Sequence, residues 1–340
     1  MMEEVKKSKQ KVLDRISRTV RVGGGVSVSM VAEELTPGKN KPVIHVTKWT
    51  RTQNRKDSIM KWLLVGSAGL VAIIIFSIIA FVGVQGTKIF ADVSFSEFFF
   101  SKDWNPSSAK APSYGTFPFL YSTLLLTLLS VAFSVPLALS GAIFMAKIAP
   151  KWMREILRPA ADLFVGIPSV VYGLIGLTVI VPSLAKMFGG IGYGILPAAI
   201  ILAVMILPTI MSISEDAIRT LPGRLEEASL ALGATRWQTI WRVLIPAARP
   251  GILTGVVLGM GRAIGETMAV FMVIGNSPKM PSSLMDSTTV LTTAIVKDMG
   301  YISYGSTWNN ALYMMALVLL VISLLLILII RVVARRSELK

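Results

Sequence analysis

The sequence predicts an all-α polytopic membrane protein with six transmembrane helices. Composition is the first observation behind that prediction. The 340 residues are 53% hydrophobic and only 16% charged, with a mean hydropathy of +0.67, unlike an ordinary soluble domain. Periodicity of length is the second: six apolar runs reach the ~20 residues that a bilayer's hydrocarbon core demands. They fall at 59–85, 116–146, 160–184, 193–213, 251–274 and 311–330. The third is proline inside those runs, at Pro136, Pro168, Pro182, Pro197 and Pro208. Proline frees backbone carbonyls that lipid cannot satisfy, so the helices must form a bundle with an interior.

Residues 1–58 are a hydrophilic tail, with no apolar stretch resembling a cleavable signal peptide at the start. Val5, Val12, Leu13, Ile16 and Val20 recur there at roughly helical spacing among basic residues. Two readings stay open, a short helix on the inner leaflet and an unstructured tail. Residues 59–331 form the transmembrane domain, and 332–340 a second short tail. Lys and Arg are roughly three times as frequent in the flanks of one side as in the loops of the other, which places both termini in the cytoplasm. The net charge of +15 is then explained by basic flanks beside anionic lipid, with no need of nucleic acid. The chain has no cysteine, which excludes disulfides and thiol chemistry.

The outer loop 86–115 contains "FSEFFFSKDWNPSS", an aromatic stretch suited to packing at the membrane–water interface first and to a partner second. The outer loop 275–310 is rich in Ser, Thr, Asn and Gly. Asp162 reads as a charge at a helix N-terminus.

The inner loop 214–249 is built as a projection. Pro222 and Gly223 punctuate it, a helix follows, and Gly233 is placed to stop that helix. Thr235 and Gln238 have the spacing of a capping box that starts a second helix. Trp237, Ile240, Trp241 and Leu244 share one face of it, and Pro246 is expected to end it. Glu227, Ala228 and Ser229, then Gly233, then Val243, Ile245 and Pro246 resemble the EAA signature of ABC-importer permeases, with Ser229, Val243 and Ile245 as small or aliphatic replacements. The resemblance implies a type I permease bundle of the MetI-like kind, whose coupling helix docks on an ATPase through Glu227, Ala228, Gly233 and Pro246. The chain has no G-x-x-x-x-G-K-[ST] phosphate-binding loop. It therefore implies no cofactor in this chain, with ATP and Mg bound by a partner.

Two charges stand inside the fifth apolar run, in "GRAIGETMAV" at 261–270. Arg262 lies about thirteen residues from either end, roughly 20 Å from each surface. That is too far for its side chain to reach water. A central arginine costs at least ~2.5–3.5 kcal/mol on insertion scales. At about 100° per residue, Gly251, Gly255, Gly259, Arg262 and Glu266 fall within about an 80° arc. One reading is a self-neutralising Arg–Glu pair between helices, which is weak as a source of stability. The other is an anion site, because guanidinium is a planar fork matched to phosphate or carboxylate oxygens. Glu266 would then orient Arg262 and weaken anion binding enough for release, or serve as a hydrogen-bond-accepting partner for a hydrogen phosphate.

Together with "GIPSVVYG" at 166–173, this stretch resembles the C-subunit permeases of phosphate-specific ABC transporters. The resemblance implies import of inorganic phosphate by alternating access. It also implies a sister permease of the A type, two copies of an ATPase and an extracytoplasmic phosphate-binding protein. Arg262 and Glu266 match the family's intramembrane charges, and Ser169 and Tyr172 could add hydroxyls along the route or satisfy carbonyls freed by Pro168. An ABC permease for sulfate or molybdate is the nearest alternative. An ion channel or secondary transporter is a more distant one. A membrane enzyme is disfavoured, because the single histidine, His45, lies in the tail with no nucleophile–base pair near membrane depth.

Overall fold

The computed structural model describes residues 20–22, 26–28 and 48–338. Of the proposed tail helix, Val5, Val12, Leu13 and Ile16 lie outside the described residues, whereas Val20 opens a β-strand and does not continue a helix. The chain divides into two units, Met1–Ser77 and Ile78–Lys340.

In the first unit, β1 (Val20–Val22) and β2 (Val26–Val28) pair antiparallel, Val20 opposite Val28. The unit also holds the first part of α1 (Lys48–Thr87), where Trp62, Leu63, Ile73 and Phe76 are all exposed. A helix apolar on every side is one that faces lipid.

The second unit is a helical bundle. Its segments are α2 (Phe95–Phe100), α3 (Phe117–Ile143), α4 (Lys151–Gly166), α5 (Ser169–Ile175), α6 (Val181–Phe188) and α7 (Ile195–Arg219). After these come α8 (Gly223–Ala231), α9 (Arg236–Thr239), α10 (Ile245–Gly265), α11 (Met268–Val273), α12 (Leu291–Met299) and α13 (Thr307–Glu338). Single π turns join α5 to α6 and α9 to α10. Among the described residues six helices are long and apolar enough to cross a membrane: Asp57–Ala91, Phe117–Ile148, Ser169–Phe188, Ile195–Arg219, Arg236–Gly265 and Thr307–Val332. The expected number of spans is found.

The central helix is α7, which packs along α3 and α10. Ile195, Ala198, Ala199, Leu202, Met205 and Ile206 fill the core between them. Glycines make the approach of α10 possible. A Cβ added at Gly251 would stand 2.3 Å from Ala217 Cβ, and one at Gly259 2.6 Å from Ile210 Cγ1. The small-residue stripe read from the sequence is thus the α10–α7 seam.

Two spans differ from the sequence reading. The third begins at Ser169 rather than near 160, because the chain breaks at Ile167–Pro168. Proline has no N–H to continue the ladder and disfavours helical geometry in the residue before it. Asp162 consequently stands within α4, exposed, and not at a helix start. The fifth span starts early and ends early. Pro246 does not terminate it: the π turn Ile240–Leu244 sends the Ile245 N–H to Ile240 O, and the wider turn accommodates the proline that follows. The extra residue also divides the expected apolar face. Ile240 and Leu244 are buried, whereas Trp237 and Trp241 are exposed and meet edge to face at 5.6 Å.

On the side opposite the 214–249 loop, the aromatic stretch folds into a cap. Ser94 Oγ accepts from Glu97 N–H to start α2, Thr116 Oγ1 donates to Phe98 O at 2.7 Å, and Trp104 packs on Phe119. The packing role expected of this loop is the observed one. Asp298 of α12 sits beside it, and burial raises the pKa of its carboxyl, with the Lys297 charge and the Trp308 and Trp104 indole N–H groups acting the other way.

Candidate translocation site and coupling loop

The two broken spans meet. Gly259 faces Ile210 and Ile206, near the middle of α7, so Arg262, one turn further along, lies at mid-depth. It does not lie thirteen residues from both helix ends as the apolar run suggested. Arg262 is in the last turn of α10, where the helix stops at Gly265 and Glu266 turns extended (ψ 130°). Its Nη2 donates to Val165 O of α4 at 3.4 Å.

The reason it points there is the other break. Pro168 removes a donor, and α4 ends with orphan carbonyls. Tyr172 Oη reaches back and donates to Phe164 O at 2.8 Å, while Arg262 takes Val165 O. Ser169, half-buried, opens α5 directly after the proline.

Arg262 and Glu266 do not pair. Among the described residues no ion bridge joins them, because the break takes Glu266 off the helix that carries Arg262. The Glu266 carboxylate instead accepts the Ala269 N–H at 3.1 Å and so starts α11, and its backbone oxygen accepts Thr292 Oγ1 at 3.1 Å. The second contact comes from a segment that sequence composition marked only as an outer loop. Leu291, Thr292, Thr293 and Ala294 of α12 are buried, and the Leu291 N–H donates to Thr123 Oγ1 of α3. The "STTVLTTA" run at 287–294, with a threonine stripe at helical spacing, was the available signal.

The arrangement offers a half-buried cationic fork between two helix ends, beside the Val165 carbonyl. It can hold a small anion. Among the described residues no cluster of His, Cys, Asp or Glu could hold a metal ion.

The 214–249 loop forms the projection expected of it. Gly233 closes α8 with φ +83°, a conformation that favours glycine, and Ala234 N–H donates to Ser229 O. Thr235 and Gln238 form the capping box. Ser229 is buried, its hydroxyl 2.9 Å from Thr239 Oγ1, which locks α8 to α9. Glu227 and Ala228 are exposed on the opposite face, and Pro246 is half-buried inside the fifth span. Glu226, unremarked in the sequence, anchors the loop by a 2.6 Å bridge to Lys147 at the end of the second span.

Residues 138–338 match the family model described as "Binding-protein-dependent transport system inner membrane component". A probable ABC transporter permease protein of Bacillus subtilis, YqgH, is 49% identical over 84% of this chain and 94% of its own length. The phosphate transport system permease protein PstC of Xylella fastidiosa is 32% identical over 84% of this chain and 93% of its own. That of Mesorhizobium japonicum is 36% identical over 71% and 79%. Among solved structures, a bacterial ABC transporter involved in import of the acidic polysaccharide alginate shares the fold, with a TM-score of 0.56 at 19% identity over 84% of this chain and 99% of that one. The chain therefore belongs to the family of binding-protein-dependent transport system inner membrane components, and is a multi-pass permease subunit of an ABC importer with the MetI-like fold, not an enzyme.

Proposed function

We propose that this permease moves inorganic phosphate inward across the cytoplasmic membrane by alternating access. The observation that carries the reading is Arg262, held at mid-depth at the junction of two broken helices. Discontinuous helices at the membrane centre are where transporters bind small ions, and a guanidinium there fits an oxyanion. The relatives named as phosphate transport permeases supply the choice of oxyanion. Arg262 binds the anion, Glu266 accepts a hydrogen bond from the P–OH of hydrogen phosphate, and Ser169 adds a hydroxyl along the route, while Tyr172, whose hydroxyl donates to Phe164 O, holds the helix break beside it.

The partners in this reading are a sister permease of the A type, two copies of an ATPase that holds ATP and Mg, and an extracytoplasmic phosphate-binding protein. The ATPase engages the exposed Glu227 and Ala228 of α8. The basic flanks orient the chain with both termini and this loop in the cytoplasm.

The test is ATP-dependent uptake of labelled phosphate into vesicles holding the assembled complex. Uptake that resists excess sulfate and vanishes in an assembled Arg262→Gln complex supports the reading. Competition by sulfate or molybdate assigns another oxyanion. Uptake that ignores a block of nucleotide hydrolysis points to a channel or a secondary transporter.

A further inference from the structure

Glu215 is a buried carboxylate with no part in the anion site. It lies near the end of α7, only 2% exposed, on the side of the coupling loop. Its Oε1 accepts from Arg219 Nη1 at 3.2 Å and stands 3.9 Å from Arg158 Nη1 of α4. Arg158 Nη2 also donates to the neighbouring Asp216 at 2.6 Å. Two acids of α7 thus hold one arginine of α4, with Arg219 balancing the second charge.

The rest of α4 explains why this matters. The helix packs chiefly against α7. Trp152, Ile156, Leu163 and Phe164 are exposed, and Ala161 is its one buried residue. Apolar packing within this chain therefore does little to fix α4; the ion cluster ties its middle to α7, and Tyr172 and Arg262 hold its last turn. Its two ends sit at different machinery. Arg158 grips α7 just before the chain enters α8, the helix that carries the EAA residues. Val165, two turns further along α4, supplies the carbonyl that Arg262 occupies.

We infer that Glu215, with Arg158 and Asp216, is a positioning cluster that makes α4 follow the coupling loop, so that ATPase-driven movement of α7 shifts Val165 O relative to the Arg262 guanidinium. An ionic tether fits that role, because two packed elements joined by a discrete polar network transmit displacement where exposed apolar faces would slide. Arg158, Asp216 and Arg219 are all more than a third exposed, so solvent screening makes the cluster a poor source of stability in its own right. The inference rests on the proposed function for the ATPase contact at α8 and for Arg262 as the anion site, and borrows phosphate itself only for the choice of labelled solute.

The experiment uses the complete complex of both permeases, the ATPase and the binding protein in vesicles. It measures phosphate taken up per ATP hydrolysed, and hydrolysis with and without added binding protein. Glu215→Gln keeps the side chain's shape, and Arg158→Gln removes the gripping charge. Both are expected to assemble and hydrolyse ATP while phosphate per ATP falls about tenfold, near the upper end for a change in a coupling network. A purely structural role would lower complex yield, hydrolysis and uptake together and leave the ratio unchanged. The swap Arg158→Asp with Asp216→Arg is expected to recover at least half of the coupling lost in Arg158→Asp alone, and it decides the matter if a neutral variant fails to assemble. An unchanged ratio in both neutral variants, or a swap no better than the single change, overturns the inference. A wild-type complex that takes up no phosphate yet hydrolyses faster with its binding protein sinks the phosphate reading alone. The cluster is then judged by whether Glu215→Gln abolishes that stimulation.

Discussion

Tyr172 donates its hydroxyl to the carbonyl of Phe164 at 2.8 Å, across the gap that Pro168 opens between α4 and α5. The neighbouring carbonyl, Val165 O, receives Arg262. One proline has created two orphan acceptors, and two side chains from the translocation region answer them. Tyr172→Phe leaves Phe164 O with only the long Ile167 N–H contact at 3.4 Å. The expected loss is about 0.5–1.5 kcal/mol of stability, with uptake reduced but not abolished. Thermal unfolding of the purified complex and initial uptake rates check both parts. Abolished uptake with unchanged unfolding would place the hydroxyl on the anion instead.

Lys147 and Glu226 fasten the coupling loop to the second span through a bridge that is partly exposed, so its contribution to stability is only about 0–1 kcal/mol. Its use is in position. Lys147→Met is expected to leave the melting temperature nearly unchanged and to reduce the fraction of ATPase that co-purifies. Glu227→Lys, on the exposed face of α8, is expected to block ATPase binding outright. Equal co-purification of both variants with wild type would remove this loop from the contact.

Gly259 is the tightest point of the α10–α7 seam near Arg262. A side chain there must displace Ile210, since even a Cβ would stand 2.6 Å from its Cγ1. Gly259→Val is expected to destabilise the subunit by ~1–3 kcal/mol and to lower its yield in membranes. The same substitution at Gly261, where a Cβ meets only Ile327 Cδ1 at 4.0 Å, should be tolerated. Loss at Gly261 equal to that at Gly259 would contradict the seam.

Asp298 predicts a pH dependence with a definite sign. Burial raises its folded pKa above the unfolded value of about 3.9. Between those values the folded state binds more proton than the unfolded one, so the contribution of Asp298 to stability is most favourable below about pH 3.9 and is lost as pH rises through the folded pKa. Asp298→Asn should flatten that part of the profile and raise stability at neutral pH. Unfolding in detergent, followed from about pH 4 to 7 for both proteins, reads the difference. A wild-type profile parallel to that of Asp298→Asn would refute the assignment.

Much of this protein is legible in its sequence because hydropathy and capping are local properties. Six apolar runs yield six spans. Gly233 and the Thr235–Gln238 box set the turns of the coupling loop through backbone geometry and hydrogen bonds within a few residues. The intramembrane arginine is conspicuous for its cost alone. Helical spacing also identified the glycine seam, since small residues at that period have one use in a bundle.

Where the helices break, and what the freed groups then do, was decided only by tertiary structure. Extrapolating one helix through Glu266 put it beside Arg262, but the chain ends that helix at Gly265, and Glu266 turns to Ala269 N–H. Pro246 read as a stop, yet a π turn carries the helix past it. Val165 carries no sequence signal at all, because any residue has a carbonyl. Its role exists only because the break at Pro168 ends α4 and leaves that carbonyl without an intrahelical donor, and the fold brings Arg262 within reach. Sequence determined which segments are apolar enough to cross a membrane and that a charge stands inside one of them, since hydropathy is a local property. The partner of that charge depended on neighbours almost a hundred residues away, because an orphan backbone group is satisfied by whatever the packing places beside it.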